Sequence, residues 1–292
     1  MTSAPPARPR RSALYVPGSN PRALQKAASL PVDVLILDLE DAVLPGAKAE
    51  ARSAVCAAVS AGCFGSREVV IRVNGGDTPW GEADLRAAAT TGADAVLLPK
   101  VESPAAVLAA ARVLDGLAPE SQRLWAMAET PRGVLALGEI ATAHPRLAVI
   151  VVGTADLARA LRLPDPAPRA GLVPALAHCL LAARAAGLDI LDGVCTRLGD
   201  PSVFRAECLE GRQLGFDGKT LIHPEQIEAC NEIFGVSDAG AAAAAELIAA
   251  WNASAATGAG VAVHAGRLVE RLHVEEAERL VALHRAIRHH QA

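Results

Sequence analysis

Aromatic residues make up only 3% of this 292-residue chain, with Tyr15 the single tyrosine, which argues against base-stacking platforms for nucleic acid. The six cysteines (Cys56, Cys63, Cys179, Cys195, Cys208 and Cys230) form no C-x-x-C pair, and the eight histidines form no H-E-x-x-H. That disfavours a zinc site. Cysteines scattered in this way read as small buried apolar side chains in a reducing, cytoplasmic setting. No unbroken apolar run reaches the ~18–20 residues of a bilayer span, so no membrane partner is expected. A net charge of −4 supplies neither the basic footprint of a nucleic-acid binder nor a polybasic membrane face. No G-x-G-x-x-G follows an apolar run, and Asp217-Gly218-Lys219-Thr220 is the tail of a P-loop without its glycine-rich front.

What the chain does have is alternation. Short apolar runs at 12–16, 32–39, 69–76, 95–100, 124–128, 150–152, 188–192 and 217–222 are separated by alanine-rich helical stretches. Continuous apolar strands with helices between them predict a parallel sheet covered on both faces. Eight such units in about 220 residues predict an α/β fold, a (β/α)₈ TIM barrel, over 12–235. Residues 1–11, with three arginines among prolines, read as a flexible N-terminal arm without the apolar core of a signal peptide. Residues 236–292 read as a helical and hairpin extension, a lid or an oligomer contact: helix 239–256, hairpin 261–268, helix 274–290.

In such barrels the C-terminal strand ends build the active site. That rule collects Asp38, Glu40, Asp41, Arg72, Asn74, Lys100, Glu129, Asp156, Asp192 and Lys219 on one rim. A strand-end acid can also cap the next helix, and a lysine can simply pair with a neighbouring acid. Glu129 is harder to explain in that way, because Thr130-Pro131 would start the following helix without it. Glu129 and Asp156 end two successive strands, which lie about 5 Å apart if paired. They could therefore share one hard cation such as Mg²⁺, which takes oxygen ligands. Arg72 interrupts an apolar strand, and a buried guanidinium requires an anionic partner, a carboxylate or an oxyanion.

Seven segments resemble, in order, the citrate lyase β-subunit group of the HpcH/HpaI aldolase–citrate lyase superfamily. They are Leu14-Tyr15-Val16-Pro17-Gly18-Ser19-Asn20-Pro21-Arg22, Asp38-Leu39-Glu40-Asp41-Ala42-Val43, Ile71-Arg72-Val73-Asn74-Gly75, Leu97-Leu98-Pro99-Lys100-Val101-Glu102, Glu129-Thr130-Pro131-Arg132-Gly133, Gly153-Thr154-Ala155-Asp156-Leu157 and Gly218-Lys219-Thr220-Leu221-Ile222-His223-Pro224. The resemblance implies a TIM barrel binding Mg²⁺ through Glu129 and Asp156. It also implies that Arg72 holds the keto-acid and enolate oxygens, and that Tyr15, Asn20 and Lys26 lie where relatives contact coenzyme A. Asn20 stands where some relatives carry arginine. Glu270 occupies the place of a family aspartate that enters a neighbouring subunit's site as acid/base, and its extra methylene moves the carboxyl outward. Glu40, Asp41 and Lys100 are secondary candidates.

The activity implied is a reversible, Mg²⁺-dependent cleavage of a 3-hydroxy-3-carboxy-acyl-CoA, of the malyl-CoA or citramalyl-CoA type. The products are an acyl-CoA and a 2-keto acid, and the assembly is a homotrimer or hexamer. Two alternatives stay open at this level: a citryl-CoA or citryl-carrier lyase subunit within a complex, and a CoA-independent 2-keto acid aldolase.

Overall fold

The computed structural model describes residues 8–164, 169–255 and 261–291, in two compact units. The larger, Arg10–Ile233, is a closed barrel of eight parallel strands in sequence order. The strands are β1 (Ser12–Pro17), β2 (Val34–Asp38), β3 (Glu68–Arg72), β4 (Ala95–Leu98), β5 (Arg123–Ala128), β6 (Leu147–Val152), β7 (Asp189–Asp192) and β8 (Gly218–Leu221). β1 pairs with both β2 and β8, which closes the cylinder. Helices follow each strand: α1 (Pro21–Ala27), α2 (Lys48–Ser60), α3 (Gly81–Ala89), α4 (Pro104–Leu117), the pair α5 (Pro131–Leu135) and α6 (Leu137–Ala141), α7 (Thr154–Ala160) with α8 (Val173–Ala185), α9 (Pro201–Leu214) and α10 (Ile227–Phe234).

Local chemistry sets the helix starts. Asn20 Oδ1 accepts from Ala23 N–H at 3.1 Å and caps α1, with Pro21 at the first turn. Thr130 Oγ1 accepts from Gly133 N–H at 3.0 Å and caps α5, so Glu129 is indeed not needed for that task. Inside the barrel, Val34, Ile36, Val70, Leu97, Trp125, Met127, Val149, Val151 and Leu191 form one buried cluster. Inward-pointing branched and aromatic side chains fill the cylinder, leaving only its C-terminal mouth for chemistry.

β2, β3, β4, β7 and β8 are shorter than their apolar runs suggested, whereas β1, β5 and β6 are longer. β3 stops at Arg72 rather than residue 76, because the Asn74 side chain turns to Leu39 O (2.8 Å) and Asp84 Oδ2 (2.6 Å). Arg10 and Arg11, which fell in the expected arm, are tied into the barrel. Arg10 pairs with Glu68 at 2.7 Å and with Asp189, and its guanidinium lies 5.4 Å over the Trp125 ring. Arg11 pairs with buried Asp33 at 2.7 Å. Residues 1–7 of the arm lie outside the described residues.

Two expected alternatives at the rim resolve as ion pairs. Asp192 does not cap a helix; it is fully buried and meets Lys219 Nζ at 2.8 Å and Arg169 Nη2 at 2.9 Å. Lys219 is also wholly buried and lies 3.4 Å from Glu207.

Among the described residues, the second unit takes in 234–291 with Arg8 and Pro9. It holds α11 (Asp238–Ala255), the antiparallel hairpin β9 (Ala262–His264) and β10 (Arg267–Val269), and α12 (Arg271–Gln291). Ala265 and Gly266 both have positive φ, 47° and 74°, as a two-residue hairpin turn requires. α12 starts at Arg271, three residues earlier than its apolar periodicity indicated; Glu270 N–H donates to His273 Nδ1 at 3.0 Å at that end. By length and hydropathy alone, residues 224–255 are apolar enough to cross a membrane, although no unbroken apolar run of that length occurs there. Acidic residues interrupt that stretch, and alanines supply much of its hydropathy.

Candidate active site

At the C-terminal mouth a cavity of about 340 Å³ is lined by Tyr15, Asp41, Arg72, Met127, Glu129, Asp156 and their neighbours. Strand register explains much of this gathering. Asp38 and Arg72 are direct partners at the ends of β2 and β3, and Pro17 of β1 pairs with Asp38. Ala128 pairs with Val152, so Glu129 and Gly153 leave neighbouring strands side by side. Asp156 then falls in the first turn of α7.

Arg72 is buried, and its fork is already engaged. Nε and Nη2 donate to the two oxygens of Asp38 at 2.6 and 2.7 Å. Nη1 lies 2.9 Å from Glu40 Oε2, 3.4 Å from Asp41 Oδ2 and 3.8 Å from Met127 Sδ. The Glu40 contact is electrostatic only: Oε2 is buried and makes no aligned hydrogen bond. Although burial opposes the charge, Asp38 holds the Arg72 guanidinium firmly protonated. The Tyr15 ring lies 4.8 Å from the guanidinium carbon, and its hydroxyl points to Met127 Sδ at 3.9 Å. Burial raises the tyrosine above its ordinary value.

Glu129 is buried, with one oxygen fixed: Oε1 accepts from Lys100 N–H at 2.7 Å. No donor among the described residues reaches Oε2. Burial pushes the Glu129 carboxyl up to about 7, with the Lys100 amide pulling the other way. Gly153 makes the packing feasible; a Cβ there would sit 2.4 Å from Glu129 Cβ and 2.6 Å from Oε2. Asp156 is half-buried, 3.9 Å from Lys100 Nζ and 3.6 Å from Arg159 Nη2, so neither contact is a hydrogen bond.

Lys100 links the two sides of the rim. Its φ of 47° is left-handed for a residue with a Cβ, and this turns its N–H toward Glu129. Its Nζ lies 2.5 Å from Glu40 Oε1. Burial depresses the ammonium, but the bond and charge of Glu40 outweigh it and raise it overall. Glu40 is raised by burial against the pull of Arg72 and Lys100.

Glu129 and Asp156 fit a magnesium ion. Mg²⁺ is usually held by one or two carboxylates, with water and substrate oxygens completing its shell. Both residues line the cavity, Glu129 with Oε2 and Asp156 with its carboxylate free of protein hydrogen bonds. Among the described residues no group of three or more His, Cys, Asp or Glu could hold a metal, so a zinc-type set is absent there.

The structure thus brings together Tyr15, Glu40, Asp41, Arg72, Lys100, Glu129 and Asp156. Asn20 and Lys26 are not among the residues lining this cavity; both lie exposed on or beside α1, and the Asn20 oxygen is spent on its cap. Glu270 stands exposed at the start of α12 in the second unit. Met127 and Gly153 escaped the sequence reading. The signal for Gly153 was present, a glycine directly after a buried strand, but its reason appears only once Glu129 is seen beside it.

A family model described as HpcH/HpaI aldolase/citrate lyase matches residues 11–224. The chain is 47% identical over 281 residues to a (3S)-malyl-CoA thioesterase of Cereibacter sphaeroides, covering 96% of each chain. It is 32% identical over 306 residues to an L-malyl-CoA/β-methylmalyl-CoA lyase of the same organism, again covering 96% of each. The crystal structure of protein CitE from Mycobacterium tuberculosis, in complex with magnesium, acetoacetate and coenzyme A, is similar with a TM-score of 0.73 and 29% identity. That likeness covers 97% of this chain and 99% of the other.

Proposed function

This chain belongs to the HpcH/HpaI aldolase/citrate lyase family, a family of lyases, and from that premise we propose that it cleaves a carbon–carbon bond in a CoA ester with the help of Mg²⁺. The substrate in this reading is a 3-hydroxy-3-carboxy-acyl-CoA of malyl-CoA or citramalyl-CoA type, split reversibly into an acyl-CoA and a 2-keto acid. One observation carries the reading. Glu129, through its free Oε2, and Asp156, whose oxygens make no protein hydrogen bond, share a 340 Å³ cavity with Arg72, whose Nη1 is the nitrogen not bonded to Asp38. That volume suits a keto acid and a thioester head, leaving the body of the coenzyme outside. Exposed Asn20 and Lys26 beside α1 are the residues proposed to meet it.

Magnesium, when bound by Glu129 and Asp156, supplies Lewis acidity toward the substrate's carboxylate and hydroxyl oxygens. Arg72, clamped by Asp38, offers Nη1 to the oxygen that gains charge, and preorganisation means little reorientation accompanies the reaction. Glu270 is assigned the proton at the departing acyl-CoA carbon, delivered from a neighbouring subunit of a homotrimer or hexamer.

A second reading, hydrolysis of the thioester, is favoured by the 47% identity to a protein named a thioesterase. Incubating the enzyme with malyl-CoA and citramalyl-CoA, with Mg²⁺ or EDTA, separates the two. Keto acid without free thiol is the lyase outcome; free thiol with the hydroxy diacid is the hydrolase outcome. Keto-acid release in EDTA, or full lyase activity in Glu129→Ala, eliminates the Mg²⁺-dependent lyase reading.

A further inference from the structure

Lys100 makes its closest contact not with either proposed metal ligand but with Glu40. Its Nζ is 2.5 Å from Glu40 Oε1 and 3.9 Å from Asp156 Oδ2. The side chain is therefore a cation standing at the edge of the site where another cation is to bind, and what restrains it is one buried carboxylate. The other charges facing this point are Arg72 at 2.9 Å from Glu40 Oε2, Arg159 at 3.6 Å from Asp156, and Asp41 at 3.4 Å from Arg72.

We propose that Glu40 and Lys100 form a charge latch that sets the divalent-cation affinity of the site: Glu40 holds the ammonium off Asp156, and the retained positive charge keeps metal binding weak enough to reverse. Lys100 is a positioning residue acting through Asp156, and Glu40 acts through Lys100. This rests on Glu129 and Asp156 being the metal ligands.

The geometry fixes the sign of each substitution. Removing the ammonium takes one of two competing cations from Asp156, Arg159 remaining at 3.6 Å, and takes a like charge away from the metal, so affinity rises. Neutralising Glu40 removes the nearest partner of Lys100, and the nearest carboxylate still on offer is Asp156. The ammonium swings toward it, and metal affinity falls. Coulomb attraction at such separations, in the partly screened dielectric of a protein rim, is large enough to move binding by about tenfold. Because Lys100→Met changes only the side chain, the backbone amide that fixes Glu129 is kept.

Isothermal titration of the metal-free protein with Mg²⁺, checked with Mn²⁺ by electron paramagnetic resonance, tests this without reference to turnover. The expected results are a dissociation constant about tenfold tighter in Lys100→Met and several-fold weaker in Glu40→Gln. In the double variant the effect of Glu40→Gln shrinks, since no ammonium is left to release. An Mg²⁺ affinity in Lys100→Met equal to or weaker than that of the wild-type protein overturns the latch. Equal effects of Glu40→Gln in both backgrounds overturn it as well. Glu129→Ala serves as the separate control: if it binds Mg²⁺ normally, the metal site itself is misassigned, whereas loss of binding there with no tightening in Lys100→Met sinks the latch alone.

Discussion

Asp38 and Arg72 face each other in register at the ends of β2 and β3 and join through two parallel hydrogen bonds of 2.6 and 2.7 Å. The guanidinium is thereby held with one edge against the protein and one nitrogen toward the cavity. Removing the carboxylate strips a buried charge of its bidentate partner, leaving only the single-nitrogen contacts to Glu40 and Asp41, so Asp38→Ala is expected to lower stability by about 3 kcal/mol, read as an earlier midpoint in urea. Arg72→Lys keeps the charge but cannot span both oxygens and the cavity together. It is expected to fold and to lose about 10²-fold in kcat.

Gly153 has room for no side chain. A methyl group there meets Glu129 Cβ at 2.4 Å and Oε2 at 2.6 Å, so either the carboxylate or the turn after β6 must move. Gly153→Ala is expected to cost about 10²-fold in kcat, since displacement on the ångström scale is that damaging in a catalytic site. Circular dichroism unchanged alongside weakened Mg²⁺ binding is the pattern to look for.

The Glu129 carboxyl is raised to about 7, chiefly by burial, from a reference of 4.5. Between those values the unfolded chain has lost this proton while the folded, metal-free chain retains it. The folded state binds more protons, so stability of the metal-free protein falls as pH rises across that window. The contribution is full below about 4.5 and gone above about 7. Saturating Mg²⁺ favours the ionised folded form and is expected to flatten the slope, and the apparent metal affinity is expected to weaken as pH drops below 7. Urea titrations from pH 5 to 8, with and without the ion, check both signs.

Lys219 and Asp192 form a wholly buried pair at 2.8 Å. Lys219→Met strands a buried carboxylate, with Arg169 its remaining cation at 2.9 Å, and is expected to destabilise by about 3–5 kcal/mol. The double change with Asp192→Asn is expected to recover part of that loss. A thermal unfolding series of the three variants measures the coupling.

The barrel was legible because each strand is an apolar run between helical stretches, a pattern that survives without knowledge of any contact. The rim was legible by position, since Asp38, Arg72, Glu129 and Asp156 stand at or just beyond strand ends. What each does there depends on register. Asp38 reads as one rim acid among several until β2 is aligned with β3, and only then as the clamp on Arg72. Run length alone also overshot β3, because Val73 and Asn74 stay apolar or neutral while the backbone turns away. The left-handed backbone of Lys100 left no trace in the sequence, since neither proline nor glycine occupies that position.

The donor that orients Glu129 is the peptide nitrogen of residue 100. Any amino acid except proline brings that nitrogen with it. Direction and electrical balance of the ligand are thus separable inheritances: a change of side chain at this position alters the charge beside the carboxylate while the carboxylate goes on pointing the same way.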